Sequence, residues 1–315
     1  MPTDGLHLAW HSFWLPKRGH APEEYEDAFC PVHADLATAQ FRCAVADGAT
    51  EASFSRQWAR TLTRAYWHGA LRADHFAADV ERLQSRWRAV FAARRQAQLP
   101  WYAQQKAEFG AFAAIVGFAL HEHPADAATG AVPGPTWEAL AIGDSNLFQV
   151  RADRMHVAFP LTRAEEFGRS PFLVPTRGHA GNDLVRHLRL AQGDWQPDDT
   201  FYLMTDALAC WFLRSQENGE RPWQTLDAVT AGDDAVDTFA HLVASLREQH
   251  LLHNDDVTLV RIRAELQAPL PPETEPPAAT EEAPLVPAPV AGAPPEAAGD
   301  DSTNEVPQES PEHDA

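Results

Sequence analysis

The sequence predicts an α+β protein in which apolar strands pair antiparallel and amphipathic helices pack against them. Three observations carry this. Phe41, Cys43 and Val45 alternate with Arg42, Ala44 and Ala46, the period of a strand; Phe54, Trp58, Leu62 and Tyr66 then fall four apart and line one stripe of a helix. Ala111–Leu120 is an uncharged apolar run, too short to span a bilayer and suited to a buried strand. Trp137–Ile142 and Leu147–Val150 flank the turn residues Gly143-Asp144-Ser145-Asn146, which predicts an antiparallel hairpin.

The remaining elements follow in order. Residues 1–30 open with Leu8, Trp10, Phe13 and Trp14, then Lys17-Arg18, then the acidic segment Glu23-Glu24-Tyr25-Glu26-Asp27. Val80, Leu83, Trp87, Val90 and Phe91 give a second helical stripe, with Asp74 and Asp79 toward its start and Arg94 and Arg95 toward its end, as the helix dipole favours. Residues 151–190 read as irregular, a flap over a site. Phe201–Met204 is a strand ending at Thr205-Asp206, and Val236, Phe239, Ala240, Val243 and Leu246 form a further helix. His253-Asn254-Asp255-Asp256 turns into a last strand, Val257–Arg263. From Ala268 the chain is Pro, Ala and Glu with almost no large apolar residue, too little to offset the entropy of ordering. The expected organisation is one folded domain over residues 1–267 and a disordered acidic tail over 268–315.

Composition narrows the function classes. Of the net charge of −20, eleven acids with no Lys or Arg lie from Ala268 onward, so the folded part carries about −9. That balance argues against nucleic acid or an anionic membrane as partner. Cys30, Cys43 and Cys210 are odd in number and read as small buried thiols in a reducing compartment. With no signal-peptide pattern, a cytoplasmic protein is expected.

Acidic corners then stand out: Asp47 and Asp206 at strand exits, Asp255 at a strand entrance, Asp144 in the expected hairpin, and Glu26-Asp27 ahead of Ala28-Phe29. Singly, each is an ordinary turn acid. Jointly, if the strands beside Asp47, Asp206 and Asp255 neighbour one another, the carboxylates converge, and too few Lys or Arg lie nearby to neutralise them. An all-oxygen set of that kind selects Mg²⁺ or Mn²⁺ over zinc.

On these segments the sequence resembles the metal-dependent Ser/Thr protein phosphatases of the 2C type, in a bacterial form. The matching stretches are Glu26-Asp27-Ala28-Phe29, Val45-Ala46-Asp47-Gly48, Ile142-Gly143-Asp144-Ser145, Leu203-Met204-Thr205-Asp206 and Asp255-Asp256-Val257-Thr258-Leu259-Val260, in the family's order over roughly residues 8–264. The resemblance implies a four-layer α/β/β/α sandwich around two central antiparallel sheets. It implies two bound Mn²⁺ or Mg²⁺ ions and, with Asp144, a third. Asp47 is similar to the bridging ligand, Gly48 to a carbonyl ligand, Asp206 and Asp255 to ligands of the first metal, and Glu26 and Asp27 to the pair that holds water around the second. Asp47, Asp206 and Asp255 are thus the implied catalytic residues, with Lys17 and Arg18 as candidates for holding phosphate. The implied activity is hydrolysis of phosphoserine and phosphothreonine in proteins, substrates of a Ser/Thr kinase, by a metal-bridged hydroxide. Ala49-Thr50-Glu51 in place of a Gly-rich run, and Ala207 in place of glycine after Asp206, keep a second reading open: a phosphatase-like scaffold of low turnover.

Overall fold

Two antiparallel sheets lie face to face. In the first, the strands run in the order β1 (Leu6–Leu15), β11 (Val257–Leu266), β10 (Thr200–Met204), β6 (Asn146–Arg151) and β7 (Arg154–Phe159). In the second the order is β2 (Ala28–Cys30), β3 (Gln40–Gly48), β4 (Phe112–His121), β5 (Thr136–Ile142) and β9 (Arg189–Asp194), with the short β8 (Val174–Pro175) paired to the start of β4. The computed structural model describes residues 6–30, 40–49, 54–95, 110–121, 135–168, 170–178 and 181–266. The acidic segment expected from Ala268 onward lies outside them. No described helix is long and apolar enough to cross a membrane.

The layering follows from which side chains each strand must bury. Val45, Val116, Phe118, Leu147, Phe201, Leu203, Val260 and Ile262 fill the space between the sheets. The alternate residues of the same strands face outward and need covering, because β3, β4, β6, β10 and β11 are apolar on both faces. On one side Ala44, Ala46 and Ile115 receive Trp58 and Leu62 of α1 (Ser55–Trp67) and Val80 of α2 (Phe76–Arg95). Next to this layer is the short α3 (Gly181–His187), whose Leu184 is buried with it. On the other side Phe148, Tyr202 and Leu259 receive Leu208 and Phe212 of α4 (Asp206–Glu217), Leu226 of α5 (Pro222–Val229) and Phe239 of α6 (Ala235–Glu248). The result is the expected α/β/β/α sandwich.

Several expectations need correction. Trp137–Ile142 and Leu147–Val150 are strands but not a hairpin: β5 belongs to one sheet and β6 to the other, and the Gly143-Asp144 turn carries the chain across. Gly143 makes that crossing with φ +97°, and a Cβ there would clash with Ala114. The true hairpin is β6–β7, turned through Ala152 and Asp153, both at positive φ. Residues 151–190 are not simply irregular, since β7, α3 and the first residues of β9 fall within them. Arg154 and His156 alternate with Met155 and Val157 over only four residues, and β9 reads Arg189-Leu190-Ala191-Gln192-Gly193-Asp194, so the period-2 signal is short. Val236 does not join its helix's buried stripe and is 70 % exposed. Cys30 and Cys43 are buried as expected, whereas Cys210 is only half-buried; all three are free thiols.

Candidate functional site

The acidic corners gather at one end of the sandwich. Asp47 is the penultimate residue of β3, Asp206 opens α4 directly after β10, and Asp255 precedes β11. They do not come from neighbouring strands of one sheet. β10 and β11 are adjacent in one sheet while β3 lies in the other, and convergence comes from the sheets ending together.

Two glycines set the spacing. Asp47 pairs in register with Ala114 of β4, and it is against Ala114 that Gly143 packs. Absence of a side chain at Gly143 thus brings Asp144 to Asp47, so Asp144 is not set apart from the strand-exit carboxylates as a hairpin would have left it. A Cβ on Gly48 would stand 2.7 Å from the Glu26 carbonyl oxygen and 2.9 Å from Ser55. Only glycine there lets the Glu26 loop and the start of α1 close over the end of β3.

Electrostatics then single the cluster out. Burial, and next the charges of Asp27, Asp206, Asp144 and Asp255, push the Asp47 carboxyl far above its ordinary range. Asp47 keeps some solvent contact, but enough protein surrounds it for desolvation to dominate. Burial, with Asp144 and Asp255 beside it, raises Asp206 to about 7, against the pull of the Ala207 N–H and of a hydrogen bond with Asp47. Asp144 is raised to about 6, first by burial and then by Asp255, its own backbone opposing. Asp27 is 1 % exposed and also raised, by burial and by Asp256 and Asp206. Its Oδ2 accepts from the Thr258 hydroxyl at 2.7 Å. Its Oδ1 is buried with no hydrogen-bond partner: the Thr205 hydroxyl favours the charged form without meeting that atom in bonding geometry.

Lys17, one of the two basic residues expected to hold phosphate, stands among these acids. It is buried at the end of β1, with Nζ 3.1 Å from Asp255 Oδ1 and 3.7 Å from Glu26 Oε2. Burial works against its charge, but Asp255, Asp256 and Glu26 outweigh that and hold its pKa above the usual lysine value. Arg18 is exposed, and its backbone N–H donates to Asn254 Oδ1 at 2.7 Å. Of the two basic residues singled out in the sequence, Lys17 alone has its side chain in the cluster.

Asp256 was visible only as the second member of a doublet. It is 3 % exposed and accepts from the backbone N–H of Lys17 at 2.8 Å and of Glu26 at 2.6 Å. Arg247 of α6 donates to the Pro16 and Asp255 carbonyls at 3.1 and 2.6 Å, fixing the same two loops from outside. Tyr25 and Thr258 share a short hydroxyl hydrogen bond, and the Thr258 N–H donates to the Thr205 hydroxyl at 3.0 Å, tying the residue before Asp206 to the one that holds Asp27. No periodicity marks these partners, because they act through single hydrogen bonds between distant loops.

The donor set is all oxygen, with the Glu26, Asp27, Asp47, Asp144, Asp206 and Asp255 carboxyls against Lys17 and, behind Asp255 and Asp256, Arg247 among the described residues. Among the described residues, no three His, Cys, Asp or Glu side chains close tightly enough to enclose a cation. The orphaned Asp27 oxygen and the mutual repulsion nevertheless fit hard divalent cations, which would supply the missing positive charge. Two cavities, of about 570 and 610 Å³, lie elsewhere, against the α1–α2 side of the second sheet. The candidate site is an acidic end-face of the sandwich and is neither of these clefts.

Comparison with known proteins agrees with the fold. The family model described as Protein phosphatase 2C matches residues 20–260. Among solved structures, the Mycobacterium tuberculosis serine/threonine phosphatase PstP/Ppp superimposes with a TM-score of 0.52 at 14 % identity, over 82 % of this chain and 99 % of that one. A bacterial serine phosphatase gives 0.53 at 13 % identity, over 83 % and 100 %. The PstP catalytic domain in complex with two manganese ions gives 0.49 at 15 % identity, over 82 % and 99 %. No curated protein sequence matches the chain significantly. With the family model spanning more than two thirds of its length, the chain belongs to the protein phosphatase 2C family.

Proposed function

We propose that the protein is a metal-dependent phosphatase acting on phosphoserine and phosphothreonine in proteins. The observation that carries this is the meeting of Asp47, Asp144 and Asp206 from both sheets at one end of the sandwich, each raised by burial and by its neighbours, beside an unpartnered Asp27 oxygen. A merely structural arrangement would have supplied these acids with donors. Asp47, Asp206, Asp255 and the Gly48 carbonyl would hold one or two Mg²⁺ or Mn²⁺ ions, Glu26 and Asp27 would order water about them, and Asp144 would serve a further ion. Such ions, when bound, supply the positive charge that phosphoryl transfer to water requires and acidify water held between them. The chain's own part is to orient. Gly48 lets the Glu26 loop close over β3, Asp256 fixes that loop to the end of β1, and Thr258, itself bonded to Thr205, holds Asp27.

The scaffold reading is less economical, because nothing in a binding platform calls for acids held where they repel. The test is hydrolysis of a phosphothreonine peptide by the purified protein with Mn²⁺ or Mg²⁺. Turnover should stop in excess chelator and be indifferent to okadaic-acid-type inhibitors. Inertness on several phosphopeptides with Mn²⁺ present would leave the scaffold reading standing.

A further inference from the structure

We propose that the cleft between α1 and α2, with the row Arg56–Arg60–Arg64 leading into it, docks an acidic segment of the phosphoprotein substrate at a distance from the phosphorylated residue. The proposal rests on the phosphatase reading and adds a determinant of which phosphoproteins are accepted.

The cleft has a volume of about 610 Å³ and is lined by Gln57, Thr61, Arg64, Ala65 and His68 of α1 and its end, and by Leu83, Arg86, Trp87 and Val90 of α2. Its floor is apolar, and Val90 stands 52 % exposed at its rim. Its charged lining is entirely basic. Outside it, Arg56, Arg60 and Arg64 stand one turn apart on α1; since four residues overshoot one turn by about 40°, the row drifts across the exposed face and its last member enters the cleft. The first turn of α1 contains no acidic residue. None of Arg56, Arg60, Arg64 or Arg86 meets a carboxylate among the described residues, whereas Arg72 and Arg82 nearby are both paired to Asp79. The row is crowded enough that Arg60, partly desolvated and flanked by Arg56 and Arg64, has its pKa lowered.

In a chain of net charge −20, a row of arginines that meets no carboxylate among the described residues stands out. Charge complementarity therefore commits the occupant to an acidic segment, with an apolar residue or two for the floor. The chain's own residues 96–109, which follow α2, contain one Lys and one Glu and do not offer that complement, whereas residues 268–315, with eleven acids and no Lys or Arg, would compete with substrate for the same cleft.

The row also has a direction. Arg56 Nη1 donates to the Glu23 carbonyl at 2.9 Å, three residues before Glu26, and Ser55 abuts Gly48. From there to Arg64 is nine residues of helix, about 14 Å, which an extended peptide covers in roughly four to five residues. Acidic residues roughly four to eight positions from the phosphoresidue would reach the cleft while the phosphoryl group lies at the carboxylate cluster.

The experiment compares two phosphothreonine peptides that differ only in an extension of alternating glutamate and leucine six positions from the phosphothreonine. Wild-type protein with Mn²⁺ should favour the extended peptide about tenfold in kcat/KM, through KM, and salt should erase the preference. Arg60→Glu/Arg64→Glu should lose the preference while its kcat/KM on the short peptide stays unchanged, with circular dichroism showing the fold retained. In parallel, fluorescence anisotropy follows an unphosphorylated, labelled form of the extended peptide, which wild type should bind and the double variant should not. Equal kcat/KM on both peptides in wild type, or an equal fall on both in the variant, overturns the docking site and leaves the phosphatase reading intact. Hydrolysis of neither peptide overturns the phosphatase reading instead. The site is then judged by anisotropy: loss of binding in the double variant upholds it, and no binding by wild type overturns it.

Discussion

β10 carries a carboxylate at each end, Asp199 buried and Asp206 half-buried, and the two are built in opposite ways. Asp199, just before the strand, is 1 % exposed and fully met by donors: Arg151 Nε at 2.9 Å and Nη2 at 2.7 Å, Gln149 Nε2 at 2.8 Å and the Gln196 N–H at 2.9 Å. Asp206, just after it, accepts from the Ala207 N–H, touches Asp47, and faces Asp144 and Asp255. Both are acids at a strand end and both are largely out of water. Burial therefore does not mark a site; lack of compensation does. The first carboxylate holds the fold together, and the second waits for charge from outside.

The same substitution at both ends tests this most sharply. Asp206→Asn should lower phosphopeptide turnover by roughly three orders of magnitude or more, because a ligand charge is lost while size and polarity are kept. Its melting temperature in chelator should equal or exceed that of wild type, since a repulsion is relieved. Asp199→Asn should do the reverse, costing roughly 3–5 kcal/mol because Arg151 keeps its charge without its main partner, with turnover per folded molecule unchanged. Equal destabilisation by the two variants would break the comparison.

Acidity offers a second, smaller handle. Asp206 and Asp144 titrate in the fold at about 7 and about 6, against an ordinary 3.8. Raised acids bind more protons folded than unfolded, so their stability contribution is complete below pH 3.8 and is lost as pH rises through 6 and 7. Metal-free protein should therefore lose on the order of a few kcal/mol between about pH 4 and about pH 8, since each tenfold change in proton affinity is worth about 1.4 kcal/mol. Urea unfolding in chelator across that range reads the loss, and saturating Mn²⁺ should flatten it. A metal-free protein steadier at the alkaline end of that range than at the acid end would contradict the electrostatics of the cluster.

How far the sequence alone carried is plain at β10. Its apolar residues and the Thr205-Asp206 exit were legible, and so were β3 with α1, β4, α2, α6 and β11, because each is a continuous apolar run or repeats a period of two or near four over several residues. Neither α4 nor α5 was anticipated, although Leu208, Phe212 and Leu226 are buried; α4 follows the strand without a loop, and α5 is only two turns long. β1 was seen only as scattered aromatics. The acidic members of the site were legible by type and by family resemblance. Lys17 was named only as a phosphate candidate and not as a counter-ion to Asp255, and Asp256, Thr205 and Thr258 were not recognised as partners, because these roles arise from hydrogen bonds across more than fifty residues of chain. Partner choice of that kind leaves no periodic trace.

Lys17 is where the comparison can be sharpened, being the cluster's counterpart of Arg151. As a counter-ion to Asp255 and Glu26 it competes with any cation for the same oxygens. Lys17→Gln should then tighten Mn²⁺ binding by roughly three- to tenfold in calorimetry, as expected when a unit charge some 3–4 Å away in a partly solvated site is removed. If Lys17 instead serves substrate phosphate, metal affinity will stay put and KM for the phosphopeptide will rise. The two outcomes separate a lysine that neutralises the site from one that uses it.

Asp144 gives the smallest effect. It reaches the cluster only through the sheet-crossing turn at Gly143, and it is the first charge after burial to raise Asp206. Asp144→Asn removes that repulsion and leaves the desolvation and Asp255 to keep Asp206 raised. In metal-free protein the Asp206 carboxyl should therefore titrate somewhat below 7, but still well above an ordinary aspartate, as followed by carbon NMR of the side-chain carboxyl. Asp199 is held by Arg151 and Gln149 at the other end of the strand and should not respond, which makes it the internal control. With Mn²⁺ present the variant should keep its tight binding and lose part of its turnover, because Asp47, Asp206 and Asp255 remain to hold the cations. Complete loss of Mn²⁺ binding would place Asp144 among the principal ligands. An unmoved Asp206 titration would mean that burial alone sets it, and the contrast between the two ends of β10 would then reduce to the presence of Arg151.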